Sequence, residues 1–143
     1  MAGPYTVDAS VFLNAFNLSE AGHADSNRFL SLLQTQAIPT IAPTLLLPEV
    51  SAAISRGRQD ANLALAFART LSRLPHLILV PLDVALAQQA VEVAAQHRLR
   101  GSDAVYAAVA LRFGSPLVTL DREQRARIDK VLVTSTPADM LKT

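Results

Sequence analysis

Four acidic residues stand where carboxylates can do chemistry. Asp8 directly follows the β-type run Tyr5-Thr6-Val7, and Asp121 follows Leu117-Val118-Thr119 after one intervening leucine. Glu49 comes just after Pro48 near an expected helix start, and Asp103 just after Gly101-Ser102 near another. Two carboxylates roughly 5 Å apart at an effective dielectric of about 20 repel by about 3 kcal/mol, so a cluster of them needs a cation. The chain has no cysteine, and no histidine adjoins these acids, so the donors are oxygens alone. That set suits Mg2+ or Mn2+ rather than zinc. Such ions hold phosphate oxygens, acidify a water and offset charge on a leaving oxygen, which is the chemistry of phosphodiester hydrolysis. Each acid also has a plainer reading: Asp8 and Asp121 as loop or cap residues, Asp103 as a complement to a helix dipole, Glu49 as an exposed helix residue. Their joint placement favours a site.

Short apolar runs alternate with segments of helical spacing. Tyr5-Thr6-Val7, Thr40-Ile41-Ala42, Leu77-Ile78-Leu79-Val80 and Leu117-Val118-Thr119 read as strands, with Val131-Leu132-Val133 as a possible fifth. Between them, Phe29, Leu32 and Leu33, then Leu63, Phe67 and Leu71, then Leu86, Ala90, Val93 and Ala94 recur at helical spacing. This alternation predicts a parallel sheet covered by helices. Pro43 and Pro48 stand where a helix can begin, since proline is tolerated in a first turn. Ser102 is the expected N-cap of the helix after Gly101, and Gly114 with Pro116 its end, so Asp103 falls in the first turn. Asp8 and Asp121 then lie at carboxyl ends of strands, the edge where open parallel sheets bind ligands. Helices of βαβ units start at that same edge, which brings Glu49 and Asp103 to it.

The chain has 143 residues, half of them apolar and 17% charged. We expect a single domain over residues 1–143. A net charge of +1 gives no global attraction to nucleic acid, so any polyanion must be bound locally. Basic residues cluster at Arg56 and Arg58, at Arg98 and Arg100, and at Arg122, Arg125 and Arg127. Each cluster reads equally well as a solvated helix end. The absence of cysteine excludes a disulfide framework and a thiolate zinc site. No cationic start precedes an uninterrupted apolar stretch, and no apolar run reaches bilayer-spanning length. The expectation is a cytoplasmic chain, neither exported nor embedded in a membrane. His23, His76 and His97 lack metal-ligand spacing and suit surface or cap positions. Tyr106, one turn after Asp103, reads first as core filler. The run Leu45-Leu46-Leu47 suits either a buried helix start or a protein contact.

The segments Val7-Asp8-Ala9-Ser10-Val11, Leu46-Leu47-Pro48-Glu49-Val50, Arg100-Gly101-Ser102-Asp103-Ala104-Val105-Tyr106 and Val118-Thr119-Leu120-Asp121 together resemble the PIN-domain ribonucleases. Within them the likeness is to the VapC-type toxins of bacterial toxin–antitoxin pairs. The pieces occur in the family's order across nearly the whole chain.

That resemblance implies a three-layer α/β/α domain with a parallel sheet of about five strands in the order 3-2-1-4-5. It makes Asp8, Glu49, Asp103 and Asp121 the metal-binding, catalytic carboxylates, with Ser10 and Thr119 in supporting roles. The activity it implies is an endoribonuclease using Mg2+ or Mn2+, leaving a 5′-phosphate and a 3′-hydroxyl. The partners it implies are RNA, a cognate antitoxin and a second copy of the chain. One departure stands out: after Asp121 the family often places an apolar residue that packs the next short helix, whereas Arg122, Glu123, Gln124 and Arg125 are all polar. Glu123 reads as a surface residue ahead of a metal ligand, and the stretch as a possible contact for RNA or antitoxin. Two competing readings are a non-catalytic PIN-like module that binds RNA or protein, and a phosphatase with an aspartyl nucleophile. The second prefers an Asp two residues after Asp8, where Ser10 stands.

Overall fold

In the computed structural model, which describes residues 1–142, five parallel strands form one sheet. Chain order runs β1 (Tyr5–Val7), α1 (Ala9–Phe16), α2 (His23–Thr35), β2 (Thr40–Pro43), α3 (Leu46–Arg58), α4 (Ala61–Ser72) and β3 (Leu77–Val80). It continues with α5 (Val84–His97), α6 (Gly101–Phe113), β4 (Leu117–Val118), α7 (Arg122–Ile128), β5 (Thr134–Ser135) and α8 (Pro137–Leu141). The strands lie in the order β3-β2-β1-β4-β5, the three-layer α/β/α arrangement that the sequence implied. From β1 the chain builds outward through β2 to β3, then crosses to the other side of β1 for β4 and β5. Strand order therefore reverses between β1 and β4, and a crevice opens there at the carboxyl ends. The register pairs Thr6 with Ile41 on one side and Val7 with Val118 on the other.

The central strands are apolar because both faces are covered. Every residue of β2 and β4 is buried, as parallel strands between helical layers require. Helix α6 has no apolar stripe; Ala104 to Ala110 are buried without a break, and α6 packs against β1, β2 and β4. Its alanines permit that close approach while Tyr106 fills the remaining volume. Val7, Phe29, Leu33, Leu46, Val50, Leu86 and Leu117 join it in one core, each fully buried. Leu46 belongs to this core, and Leu45 and Leu47 pack partly against it, so burial accounts for the leucine run.

Two boundaries differ from expectation. The fifth strand is Thr134–Ser135, not Val131–Val133. Residues after α7 turn back instead, with the amides of Val131 and Leu132 both bonded to the Ile128 carbonyl. Val131 and Val133 are exposed, so β-branched propensity yielded to the position at which β4 presents its partners. Helix α6 begins at Gly101, with Arg100 in the N-cap position and no side-chain cap. Ser102 is thus already inside the first turn, and Asp103 stays in that turn as expected.

Gly114 ends α6 at φ +61° with its amide on the Ala110 carbonyl. An added Cβ there meets nothing within 4 Å, so Gly114→Ala is a test of backbone conformation alone. It is expected to lower the unfolding free energy by about 1–2 kcal/mol, as measured in urea.

Candidate active site

Each acid reaches the crevice for a local reason. Asp8 follows β1 and caps α1, its side chain accepting the Ser10 amide at 3.0 Å. Its own amide bonds the Val118 carbonyl at 3.2 Å, which sets it beside the end of β4. Asp121 caps α7 by accepting the Gln124 amide at 3.1 Å. Glu49 and Asp103 occupy the first turns of α3 and α6. Pro48 is compatible with that turn because its missing N–H has no helical partner there.

Asp8 is buried, only 5% exposed, and hydroxyls hold both of its oxygens. Ser10 Oγ donates to Oδ1 and Thr119 Oγ1 donates to Oδ2 at 2.6 Å. Ser10 Oγ also accepts the Leu120 amide at 3.1 Å, and Thr119 Oγ1 the Asp121 amide at 3.1 Å. These two hydroxyls, expected to support the site, join the end of β1 to the residues that follow β4.

Glu49 accepts the Tyr106 hydroxyl at 2.6 Å. Arg100 spans the other two acids, with Nε on Asp103 Oδ2 at 3.0 Å and Nη2 on Asp121 Oδ2 at 2.8 Å. Burial is the main force raising the Asp8 carboxyl, which reaches about 6 against its bonds to Ser10 and Thr119, and the charge of Asp103 adds to the rise. Burial likewise raises Glu49, again with Asp103 adding and the Tyr106 hydrogen bond opposing. Asp103 is raised by burial first, then by Asp121 and Glu123, against Arg100. The Tyr106 phenol is pushed well up by burial and by its bond to Glu49.

The structure thus brings Asp8, Glu49, Asp103 and Asp121 to one edge where their charges act on one another. They are not drawn into a closed cage: among the described residues no three His, Asp or Glu side chains are close enough to make one. Asp103 and Asp121 share a guanidinium instead, and Glu49 is held aside by a phenol. Donor type and charge nevertheless fit a hard divalent cation, since all the ligating atoms are oxygens. Burial is the main reason the Asp8 carboxyl rises to about 6, so its charged form is costly in this dry setting.

Three functional side chains were underread in the sequence. Tyr106 is core filler, 2% exposed, yet its hydroxyl positions Glu49. Arg100, read equally as a local polyanion contact or a solvated helix end, spans two of the acids. Gln124, one of four polar residues after Asp121, is 1% exposed and contacts both Thr119 and Asp103. Its signal was a glutamine three residues after an aspartate cap. Glu123 lies at the surface and pairs with Arg127, while Arg127 also donates to the Arg98 carbonyl. His97 ends α5, and His23 bonds the Asn14 carbonyl at 3.1 Å.

Residues 5–130 match the PIN domain family, and the chain belongs to that family. Among solved structures, the Mycobacterium tuberculosis VapC toxin that cleaves the sarcin–ricin loop is 23% identical at a TM-score of 0.70, over 86% of this chain and 94% of that one. A protein of Pyrobaculum aerophilum is 24% identical at a TM-score of 0.69, over 99% and 96%. A toxin–antitoxin complex from Klebsiella pneumoniae contains a chain 17% identical at a TM-score of 0.65, over 94% and 98%. No curated protein matches the sequence significantly.

The raised Asp8 carboxyl has a consequence for stability. Its value is about 6 in the fold against 3.8 as the ordinary value, so the folded chain holds this proton more tightly than the unfolded chain does. The stabilisation is full below the unfolded value and is lost as pH rises through about 6, a span worth about 3 kcal/mol. Asp8→Asn keeps the cap oxygen for Ser10 and removes the charge. In EDTA it is expected to gain about 1–3 kcal/mol over the native chain at about pH 7.5 and little at about pH 4, measured by urea unfolding. Equal gains at both pH values would contradict the assignment.

Proposed function

We propose that the chain is a Mg2+- or Mn2+-dependent endoribonuclease and the toxin member of a type II toxin–antitoxin pair, working as one domain. The observation that carries this reading is that Asp8, Glu49, Asp103 and Asp121 stand at the β1/β4 crevice of a PIN fold, where burial raises the carboxyls of Asp8, Glu49 and Asp103. When bound, a divalent cation supplies Lewis acidity, holding a phosphate oxygen and making a water more acidic. Asp8, Glu49, Asp103 and Asp121 are the residues to hold it. Ser10 and Thr119 orient both Asp8 oxygens, and Tyr106 fixes the angle at which Glu49 faces the crevice. Helix α6 adds the positive end of its dipole beside Asp103, which favours an anionic substrate at that end. No side chain need form a covalent intermediate, since the attacking group is water.

The VapC neighbour's cleavage of the sarcin–ricin loop supports RNA as the substrate, and the Klebsiella complex supports an antitoxin as the partner. We carry over from the family the expectation of a homodimer. No helix among the described residues is long and apolar enough to cross a membrane, which accords with an RNA substrate inside the cell. The bridge from Arg100 to Asp103 and Asp121 favours a non-catalytic module, since it satisfies two acids without a cation.

Incubation with structured RNA separates the two readings. With Mn2+ the native chain is expected to release fragments bearing 5′-phosphates, and EDTA to stop their release. Removing a carboxylate that supports several kcal/mol of charge stabilisation should slow cleavage about a thousandfold. Asp103→Asn is therefore expected to be inactive while unfolding no earlier than the native chain. Cleavage that persists in EDTA, or in Asp103→Asn, would defeat the proposal.

A further inference from the structure

Gln124 is buried where an apolar residue would cost less. Taking an amide out of water costs about 1–3 kcal/mol unless its hydrogen bonds are replaced, so its partners decide why it stands there. It is the third residue of α7 after the Asp121 cap. From that position a glutamine side chain usually turns back to the cap residue's own amide, closing a local box. Here it does not. The Asp121 amide is taken by Thr119 Oγ1, and the Gln124 side chain runs outward instead. Its Nε2 donates to the Asp103 carbonyl at 3.3 Å, and its Oε1 lies 3.0 Å from Thr119 Oγ1, where it takes the weaker share of the one hydroxyl proton that Asp8 Oδ2 accepts at 2.6 Å. Its backbone amide donates to Asp121 Oδ1.

One residue thereby touches Asp121 directly, Asp103 through its carbonyl, and Asp8 through the Thr119 hydroxyl. Only Glu49, held by Tyr106, lies outside this set. The Asp103 carbonyl fixes which way the amide faces, because a reversed amide would set two oxygens against each other. Gln124 thus ties the first turn of α6 to the start of α7 and to the end of β4.

Resting on the nuclease reading, we propose that Gln124 is a positioning residue for the acidic site, setting the spacing of Asp8, Asp103 and Asp121 by bridging Thr119 and the Asp103 carbonyl. It is placed to touch neither substrate nor cation.

The test compares Gln124→Met, which keeps length and volume without the hydrogen bonds, with Ile128→Ala. Ile128 is fully buried one turn further along α7, and its side chain is apolar, so its loss loosens packing alone. Gln124→Met is expected to keep its Tm, to weaken Mn2+ binding in calorimetry and to lower kcat, each by about 10- to 100-fold, with KM unchanged. Ile128→Ala is expected to lower Tm and leave kcat and Mn2+ affinity near native at temperatures where it is folded. If Gln124→Met fails to fold, Gln124→Asn replaces it: the shorter amide cannot span both partners, and the same losses are expected. Native Mn2+ affinity and kcat in the folded variant overturn the inference, as do equal losses in Ile128→Ala. A native chain that binds Mn2+ but cuts no RNA removes the nuclease reading, and the inference is then decided by the Mn2+ isotherms. A native chain that binds no Mn2+ overturns both.

Discussion

Carboxylates taken into a partly dry crevice lose their water and repel one another besides, and the neighbourhood of the β1 and β4 ends is organised around that cost. Buried Asp8 has hydroxyls on both oxygens, Glu49 a phenol, and Asp103 and Asp121 a shared guanidinium. These contacts lower the cost without removing it, since burial still holds Asp8 near 6 and raises Glu49 and Asp103. Charge left unbalanced in this way is a standing preference for a cation.

The fold supplies the crevice through a single topological fact: β1 lies between β2 and β4. Successive connections leave β1 on one side and return on the other, which opens a gap above the β1/β4 boundary. The ladder between these two strands continues through the Asp8 amide to the Val118 carbonyl, which holds the residues following both strands at one edge. Helix α6, apolar on every side, is pressed against β1, β2 and β4, and its first turn is thereby fixed at the same edge. Positions of catalytic type are set here by rigid elements rather than by a long loop, which limits how far they can drift.

Membership of the PIN family explains the common frame, and the stretch after Asp121 shows how this chain departs from it. An apolar contact at the start of α7 would serve packing as well. The buried amide of Gln124 adds direction, because a hydrogen bond fixes an angle as well as a distance. Nearby, Arg127 and Glu123 pair with each other at the surface, so the polarity of this short helix divides between a buried link and an exposed one.

Much of this was legible from residue order. Alternating apolar runs and helical spacings determined a parallel α/β sheet, and the placement of Asp8 and Asp121 just after strands determined that they share its carboxyl edge. The fifth strand was not legible, because Val131 to Val133 have strand propensity while the ladder with β4 selects Thr134 and Ser135. Ser102 has the chemistry of a cap, yet the cap position falls two residues earlier, at Arg100, whose backbone is extended. Tyr106 and Arg100 acquired their partners, and Gln124 its contacts with Thr119 and Asp103, only on folding. Glu49 lies 57 positions from Tyr106, Asp121 lies 21 from Arg100, and Asp103 lies 21 from Gln124. Local sequence carries periodicity and capping chemistry; which buried polar group meets which is decided by packing between distant segments, where each group must find a partner or bear the loss of water.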